Sequence, residues 1–317
     1  MGIGLLSLLS LKSERSSAFT AAGFAVRERT PQVSRMDALR DAGDTVRAVL
    51  TNGRGGLSGA EMALLPKLEI VCTIGAGYEC IDLNTARSRG IAVTHCPGTN
   101  APIAADSAMM LLLATARRLI QSDRFVRAGG WQETWPVESP TICGKRLGIL
   151  GMGMIGSGIA QRAARGFDME VGYHNRAAVA ASPYRYFASL IELARWADFL
   201  IAAAPGGAGT RHLINADVLS ALGPDGCIVN IGRGTVVDTE ALIEALQSQR
   251  IAGAGLDVVE GEPNIPAKLL QMDNVVWTPH CAGKAPEAYA AATALTLANL
   301  NAHFSGKPLV TPASFNT

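Results

Sequence analysis

A glycine-rich turn between two short apolar runs constrains this chain more than any other stretch. The run at 147–150 predicts a buried strand, Gly151, Gly153 and Gly156 follow in G-x-G-x-x-G spacing, and a second strand is predicted at 169–173 after a helix. In such a unit the glycines allow a tight turn, close approach of a pyrophosphate, and packing of the helix on the strand. The helix N-terminus also favours phosphate. We therefore predict a dinucleotide site contacted by Gly151, Met152, Gly153, Met154, Ile155 and Gly156.

The end of the second strand bears on which dinucleotide binds. An acidic residue there would hold the ribose hydroxyls of NAD, but the chain has His174, Asn175 and Arg176, and Glu170 lies too near the strand start. Arg176 can pair with a 2′-phosphate, and Asn175 can donate a hydrogen bond to it. The alternative is that Arg176 is a solvated surface charge. We predict NADP(H), contacted by these three residues, in preference to NAD(H).

Composition narrows the class of protein. The 317 residues are enough for two domains, and a formal net charge of +1 predicts neither a nucleic-acid partner nor an anionic-membrane partner. The six cysteines include no C-x-x-C pair, so we expect buried free thiols in a reducing, cytoplasmic compartment and no metal site. The apolar N-terminus lacks the features of a signal peptide and predicts a first strand at 3–9.

Short apolar runs alternate with helical patterns along the chain, which predicts doubly wound parallel sheets. A long apolar helix is predicted from residue 103 to about 126, buried between domains or subunits. The break with Trp131 and Trp135 predicts a linker or arm, which would serve an interface, a lid or ordinary packing. An amphipathic helix is expected to run from Pro286 to Phe304.

Two glycines follow the strand predicted at 70–73, within the stretch Thr73 to Tyr78. Open parallel sheets bind ligands at the carboxyl ends of their strands, and bare N–H groups there can hold a small carboxylate. A plain strand-to-helix turn is the alternative interpretation.

Three charged or titratable residues, Arg233, Glu262 and His280, stand at or just past the carboxyl ends of later predicted strands. A protonated His280 can polarise a carbonyl and donate a proton to its oxygen, and a neighbouring Glu262 would favour the charged ring. Arg233 offers a forked donor to a carboxylate. The alternatives are a structural histidine, a surface-turn arginine and a loop-capping glutamate. Because a dinucleotide site is predicted nearby, we favour a site for hydride transfer to a 2-oxo acid.

With these residues in view, the chain resembles the D-isomer-specific 2-hydroxyacid dehydrogenases over nearly its full length. The resemblance rests on these stretches: G-A-G-Y at 75–78, G-M-G-M-I-G at 151–156, N-I-G-R-G at 230–234, G-L-D-V at 255–258 with Glu262 and Pro263, and T-P-H-C-A-G at 278–283. Within the family the chain is most similar to NADPH-dependent glyoxylate/hydroxypyruvate and hydroxyphenylpyruvate reductases, on the strength of residues 173–176.

The resemblance implies the roles of particular residues. It implies a catalytic triad of Arg233, Glu262 and His280, and a substrate carboxylate held by the backbone of Ala76 and Gly77 together with Arg233 and His280. It implies further cofactor contacts at Pro205, Ile231, Gly232, Arg233, Asp257, His280 and Gly283, with Asp257 on the nicotinamide carboxamide. Met154 stands where many relatives carry Arg, so a weaker phosphate contact is expected there.

The resemblance also implies the organisation of the chain. A Rossmann NADP-binding domain, residues 100–284, would be inserted into a flavodoxin-like substrate domain, residues 1–99 and 285–317, with closure by a hinge motion. A homodimer through the cofactor domains would explain the apolar helix. Two other functions stay open: a dinucleotide-sensing corepressor-like binding protein, and another oxidoreductase on the same fold such as a formate or phosphite dehydrogenase.

Overall fold

Two separate parallel sheets organise the protein in this computed structural model, which describes residues 2–133 and 138–314. The strands are β1 Ile3–Ser7, β2 Phe24–Glu28, β3 Ala48–Thr51, β4 Ile70–Thr73, β5 Ala92–Thr94, β6 Arg146–Leu150, β7 Glu170–His174, β8 Arg185–Tyr186, β9 Phe199–Ala202, β10 Cys227–Asn230, β11 Gly253–Leu256 and β12 Val275–Trp277. The helices are α1 Ser13–Ala21, α2 Arg35–Ala42, α3 Gly59–Ala63, α4 Leu83–Ser88, α5 Ala101–Ala116, α6 Leu119–Arg127, α7 Met154–Phe167, α8 Leu190–Trp196, α9 Ala216–Leu222, α10 Thr239–Gln247, α11 Ala267–Leu270 and α12 Pro286–Phe304.

The chain divides into two units. One consists of Met1–Asn100 with Ala285–Thr317, and the other of Ala101–Lys284. The first unit holds a five-stranded sheet of order β2-β1-β3-β4-β5, which is the flavodoxin-like order. The second holds a seven-stranded sheet of order β12-β11-β10-β9-β6-β7-β8, in which β6, β7 and β8 form one half and β9 to β12 the other, as in a Rossmann sheet. The predicted class of two doubly wound parallel sheets is confirmed.

Burial explains why these runs form parallel strands. Every residue of β3, β4, β9, β10 and β11 is buried, because helices cover both faces of each sheet. Strands of this kind read as continuous apolar runs, and for that reason the sequence pattern locates them well. The two-residue strand β8, with the polar sequence Arg185–Tyr186, has no such run and was not predicted.

The single long helix expected from residue 103 to about 126 is wrong. The structure has two helices, α5 and α6, separated at Arg117 and Arg118. Arg118 has a φ of 51°, a left-handed conformation that an α-helix cannot contain. The apolar character of α5 follows from packing within its own unit, where it lies against α7, β10 and β11.

Polar side chains cap the N-termini of several helices. Ser189 accepts a hydrogen bond from the N–H of Glu192, Asn215 from that of Val218, and Asp238 from that of Ala241. Helix α12 has the predicted bounds and buries one face, as an amphipathic helix does, and that face includes Thr293, Thr296 and Asn299 beside apolar residues. Asn299 is buried because it holds the backbone of residues 310 and 311.

The cysteines are all free, but they are not all buried. Cys72, Cys96 and Cys227 are buried, and desolvation raises the pKa of Cys72 and of Cys227 to about 12. Cys80 and Cys143 are exposed, contrary to the prediction, and both lie in surface turns. Within the described ranges no helix has the length and apolar character of a membrane span, and no cluster of three potential metal ligands is found.

Candidate active site

The glycine-rich turn connects β6 to α7, and two of its glycines stand where neighbouring backbone leaves no room for a side chain. Gly151 has a φ of 101°, and a Cβ placed there would lie 2.8 Å from the backbone nitrogen of Ala204. A Cβ on Gly156 would collide with the carbonyl oxygen of Gly151. A Cβ on Gly153, by contrast, would meet no atom within 4 Å, so the space beside this backbone is open. The residues present therefore fit a pyrophosphate at the N-terminus of α7.

The end of β7 is tied to this turn. The side-chain oxygen of Asn175 accepts a hydrogen bond of 2.7 Å from the N–H of Met152, so only its amide nitrogen remains to donate to a phosphate. His174 Nδ1 lies 2.9 Å from the carbonyl oxygen of Phe187, which fixes its ring. Arg176 is exposed at the strand end. Of the predicted phosphate contacts, Arg176 is thus the most accessible.

His280 and Glu262 are brought together as a hydrogen-bonded pair. His280 Nδ1 is bonded to Glu262 Oε1, and the side chains are 27% and 23% exposed. Because the carboxylate engages Nδ1, the ring presents Nε2 to a ligand, and no group of residues 2–133 or 138–314 is bonded to that nitrogen. This is the geometry that a proton donor needs: one nitrogen is held and the other is available.

Asp257 builds the loop that carries His280. Its buried carboxylate accepts hydrogen bonds from the hydroxyl of Thr278 at 2.6 Å and from the N–H groups of Cys281 at 2.8 Å and Ala282 at 3.1 Å. The N–H of His280 is in turn bonded to the carbonyl oxygen of Asp257 at 2.9 Å. This loop-holding role was not predicted, although an aspartate at the end of one strand and a Thr-Pro-His stretch at the end of the next strand are a usable signal for it.

Arg233 lies on the loop after β10, beside the loop that carries Glu262. Asn230 fixes the Arg233 loop, since it accepts from the N–H of Gly232 at 3.1 Å and donates to the carbonyl oxygen of Arg233 at 3.1 Å. A Cβ on Gly234 would collide with the backbone of Val259. The Arg233 loop and the Glu262 loop therefore touch backbone to backbone.

A second histidine–carboxylate pair lies beside the first and was missed in the sequence. His212 Nε2 is 2.7 Å from Glu260 Oε2, and His212 Nδ1 is 3.7 Å from Asp238. Arg211 also pairs with Glu260. The hydrogen bond from His212, and then that from Arg211, lowers the pKa of Glu260 against the opposing effect of burial. Because Glu260 and Glu262 share one loop, the His212–Glu260 pair helps to fix the loop that carries Glu262.

The other predicted cofactor contacts differ in accessibility. Ile231 and Gly232 are buried after β10, whereas Pro205 is exposed after β9, and Gly283 lies half-buried in the loop after His280. Met154 is 60% exposed at the start of α7.

Ala76 and Gly77 belong to the other unit, in the turn after β4, where Ala76 is exposed. Trp131 is 76% exposed, and Trp135, the other tryptophan of the predicted arm, lies outside the described residues.

A Rossmann-like α/β unit that carries both a glycine-rich strand-to-helix turn and a histidine–glutamate pair is the class that these features define. The profile of the "D-isomer specific 2-hydroxyacid dehydrogenase, NAD binding domain" matches residues 109–282. A hydroxyphenylpyruvate reductase of Plectranthus scutellarioides is 40% identical over 89% of this chain and 90% of its own length. The chain belongs to the D-isomer-specific 2-hydroxyacid dehydrogenase family, as its motifs predicted.

Solved structures agree with this placement. A 2-hydroxyacid dehydrogenase of Ketogulonicigenium vulgare Y25 matches with a TM-score of 0.91 at 36% identity, covering 100% of both chains. An NADPH-dependent glyoxylate/hydroxypyruvate reductase of Sinorhizobium meliloti, in complex with NADP and malonate, matches with a TM-score of 0.88 at 36% identity, covering 99% of this chain and 97% of its own.

Proposed function

We propose that this protein uses NADPH to reduce a small 2-oxo acid, of the glyoxylate, hydroxypyruvate or aryl-pyruvate type, to the D-2-hydroxy acid. The observation that carries the proposal is the His280–Glu262 pair, in which Nδ1 is held and Nε2 is presented. The names of the relatives from Plectranthus and Sinorhizobium support the substrate class and the cofactor.

Each member of the proposed triad has a distinct task. His280 donates a proton from Nε2 to the substrate carbonyl oxygen, and in the reverse direction it removes that proton. Glu262 orients the ring and stabilises its positive charge before transfer. Arg233, held by Asn230, binds the carboxylate and carbonyl of the substrate with its planar fork.

The 151–156 turn and the end of β7 bind the cofactor in this proposal. The open space beside Gly153 admits a pyrophosphate, and Arg176 pairs with a 2′-phosphate. When bound, the reduced nicotinamide supplies the hydride. The domain roles follow: residues 100–284 bind NADP, and residues 1–99 with 285–317 hold the substrate carboxylate through the N–H groups of Ala76 and Gly77.

The first experiment is to follow loss of reduced-nicotinamide absorbance with glyoxylate, hydroxypyruvate, pyruvate, phenylpyruvate and hydroxyphenylpyruvate, with NADPH and NADH in parallel. Turnover of one or more with NADPH is expected. No turnover of any, with NADPH still bound, would contradict the proposal and favour the dinucleotide-sensing alternative.

Arg176→Ala tests the cofactor preference. Loss of one guanidinium–phosphate pair is expected to raise KM for NADPH about tenfold or more and to leave KM for NADH within about twofold. Arg185→Ala is the matched control, since Arg185 lies on the neighbouring strand β8 with its guanidinium over the ring of Phe187. Equal changes for both cofactors, or none, would contradict the assignment.

We also propose a homodimer through the cofactor-binding unit. An apolar groove of about 580 Å³ lies on α5, α6 and α7, and Met110 and Leu119 in it are 49% and 56% exposed. Met110→Glu should shift a dimer towards monomer in analytical ultracentrifugation. Leu270→Glu, at a 55% exposed leucine outside the groove, should not.

The free buried thiols support the cytoplasm as the compartment.

A further inference from the structure

The turn from Gly75 to Tyr78, after β4, is fixed by the two residues that follow β5. The N–H of Cys96 donates to the carbonyl oxygen of Gly75 at 2.7 Å. His95 Nδ1 lies 2.9 Å from the carbonyl oxygen of Ala76, and since that oxygen only accepts, Nδ1 carries the proton. Two successive carbonyl groups of the turn are thus drawn towards the end of β5.

These two hydrogen bonds determine where the N–H groups of the turn point. In a trans peptide the N–H is directed opposite to the carbonyl group of the preceding residue. The bond to Gly75 therefore turns the N–H of Ala76 away from β5, and the His95 bond does the same for the N–H of Gly77. In the part of the chain that the structure describes, no protein group accepts from either N–H. Both are directed outward as donors.

The His95 ring is held in place before any ligand binds. It packs edge-on against the ring of Tyr78, with centroids 4.9 Å apart and planes at 73°. Its backbone is fixed by Thr311, whose carbonyl oxygen accepts from the His95 N–H at 3.2 Å and whose hydroxyl donates to the His95 carbonyl oxygen at 2.6 Å. A histidine held through both its backbone and its ring loses little conformational freedom when it bonds to Ala76.

We propose that His95 is a positioning residue for the substrate carboxylate, which it serves by holding the Ala76 carbonyl so that the Gly77 N–H faces the ligand. The inference rests on the proposed function and deepens it. His95 does not touch the substrate in this proposal. It acts through the peptide between Ala76 and Gly77, and its loss weakens carboxylate binding more than the chemical step.

Glyoxylate is the substrate that isolates this effect, because it has no side chain and consists of the carboxylate and the aldehyde alone. In His95→Ala, the KM for glyoxylate is expected to rise about tenfold, with kcat and the KM for NADPH within about twofold of wild type. His95→Asn should restore the KM to within about threefold, since its amide can donate at the position of Nδ1. The matched control is His303→Ala, at a histidine of the same unit that pairs with Glu69 instead.

The outcomes separate this inference from the proposed function. A wild-type chain that reduces none of the 2-oxo acids overturns both. A wild type that reduces glyoxylate, with KM unchanged in His95→Ala, overturns the positioning role alone. A His95→Asn variant with a KM as high as that of His95→Ala also overturns it. So does a His95→Ala variant that loses kcat without a change in KM, because misfolding of part of the sample would produce that result.

Discussion

The His280–Glu262 and His212–Glu260 pairs take their glutamates from one loop and yet differ in geometry. The two histidines have left-handed φ angles of 49° and 52°, and their glutamates are two residues apart. The pairs differ in the nitrogen used. Glu262 engages Nδ1 of His280, whereas Glu260 engages Nε2 of His212.

The difference shows why a histidine–carboxylate pair is not by itself a catalytic site. Nε2 of His280 is presented away from its carboxylate, whereas Nδ1 of His212 faces Asp238 at 3.7 Å, so each His212 nitrogen faces an anion. The Arg211 guanidinium also pairs with Glu260. His212 is a cross-link among three loops, whereas His280 is held by one carboxylate and is a proton donor in the proposed function. The comparison can be tested by making the same substitution in each pair.

Replacing the two histidines should give the largest contrast. His280→Ala removes the proposed proton donor and is expected to lower kcat for 2-oxo acid reduction about 1000-fold, within the range for general acid catalysis. His212→Ala should keep kcat within about fivefold. Steady-state rates with saturating NADPH measure both, and the dissociation constant of NADPH should change little in either variant. A His280→Ala variant with near wild-type turnover would contradict the assignment.

Replacing the two glutamates should give a smaller difference in kcat, again with the larger loss in the His280–Glu262 pair. Glu262→Gln keeps an acceptor for Nδ1 but removes the charge that stabilises the protonated ring, so kcat should fall about 50-fold. Glu260→Gln, two residues away, should lower kcat about threefold or less. If the two variants lost equal activity, the carboxylates would be equivalent and the distinction between the pairs would be wrong.

The sequence predicted one of these pairs and not the other, and the reason is physical. Glu262 and His280 both follow predicted strands of one sheet, and parallel strands bring their carboxyl ends together. His212 and Glu260 lie 48 residues apart on loops whose approach depends on tertiary packing. His95 and Ala76 follow the adjacent parallel strands β4 and β5, so the sequence could have brought them near each other, but it did not show that the His95 ring engages the Ala76 carbonyl group. The break between α5 and α6 at Arg118 was missed because the pattern of apolar residues does not reveal a left-handed backbone conformation.

Stability should rank the two histidines in the opposite order. His212→Ala breaks a hydrogen bond to a charged, three-quarters buried glutamate and is expected to cost about 1 kcal/mol, which lowers Tm by about 2–4 °C. His280→Ala should change Tm less or raise it, because active-site residues are seldom optimised for stability. Thermal unfolding at pH 7 checks the order. A larger Tm loss in His280→Ala would contradict the cross-link role of His212.

The smallest expected effect is a pH dependence of the stability that Glu260 contributes. Hydrogen bonds from His212 and Arg211 lower its pKa in the folded state, so its contribution is fully present above the unfolded pKa of about 4.3 and is lost as the pH falls through the folded value. The Tm difference between wild type and Glu260→Gln, about 2 °C at pH 7, should therefore shrink towards zero near pH 3. Glu170→Gln, at an exposed glutamate starting β7, is the control and should show little difference at either pH. A difference that persisted unchanged at pH 3 would mean that Glu260 stabilises the loop through packing and not through its charge.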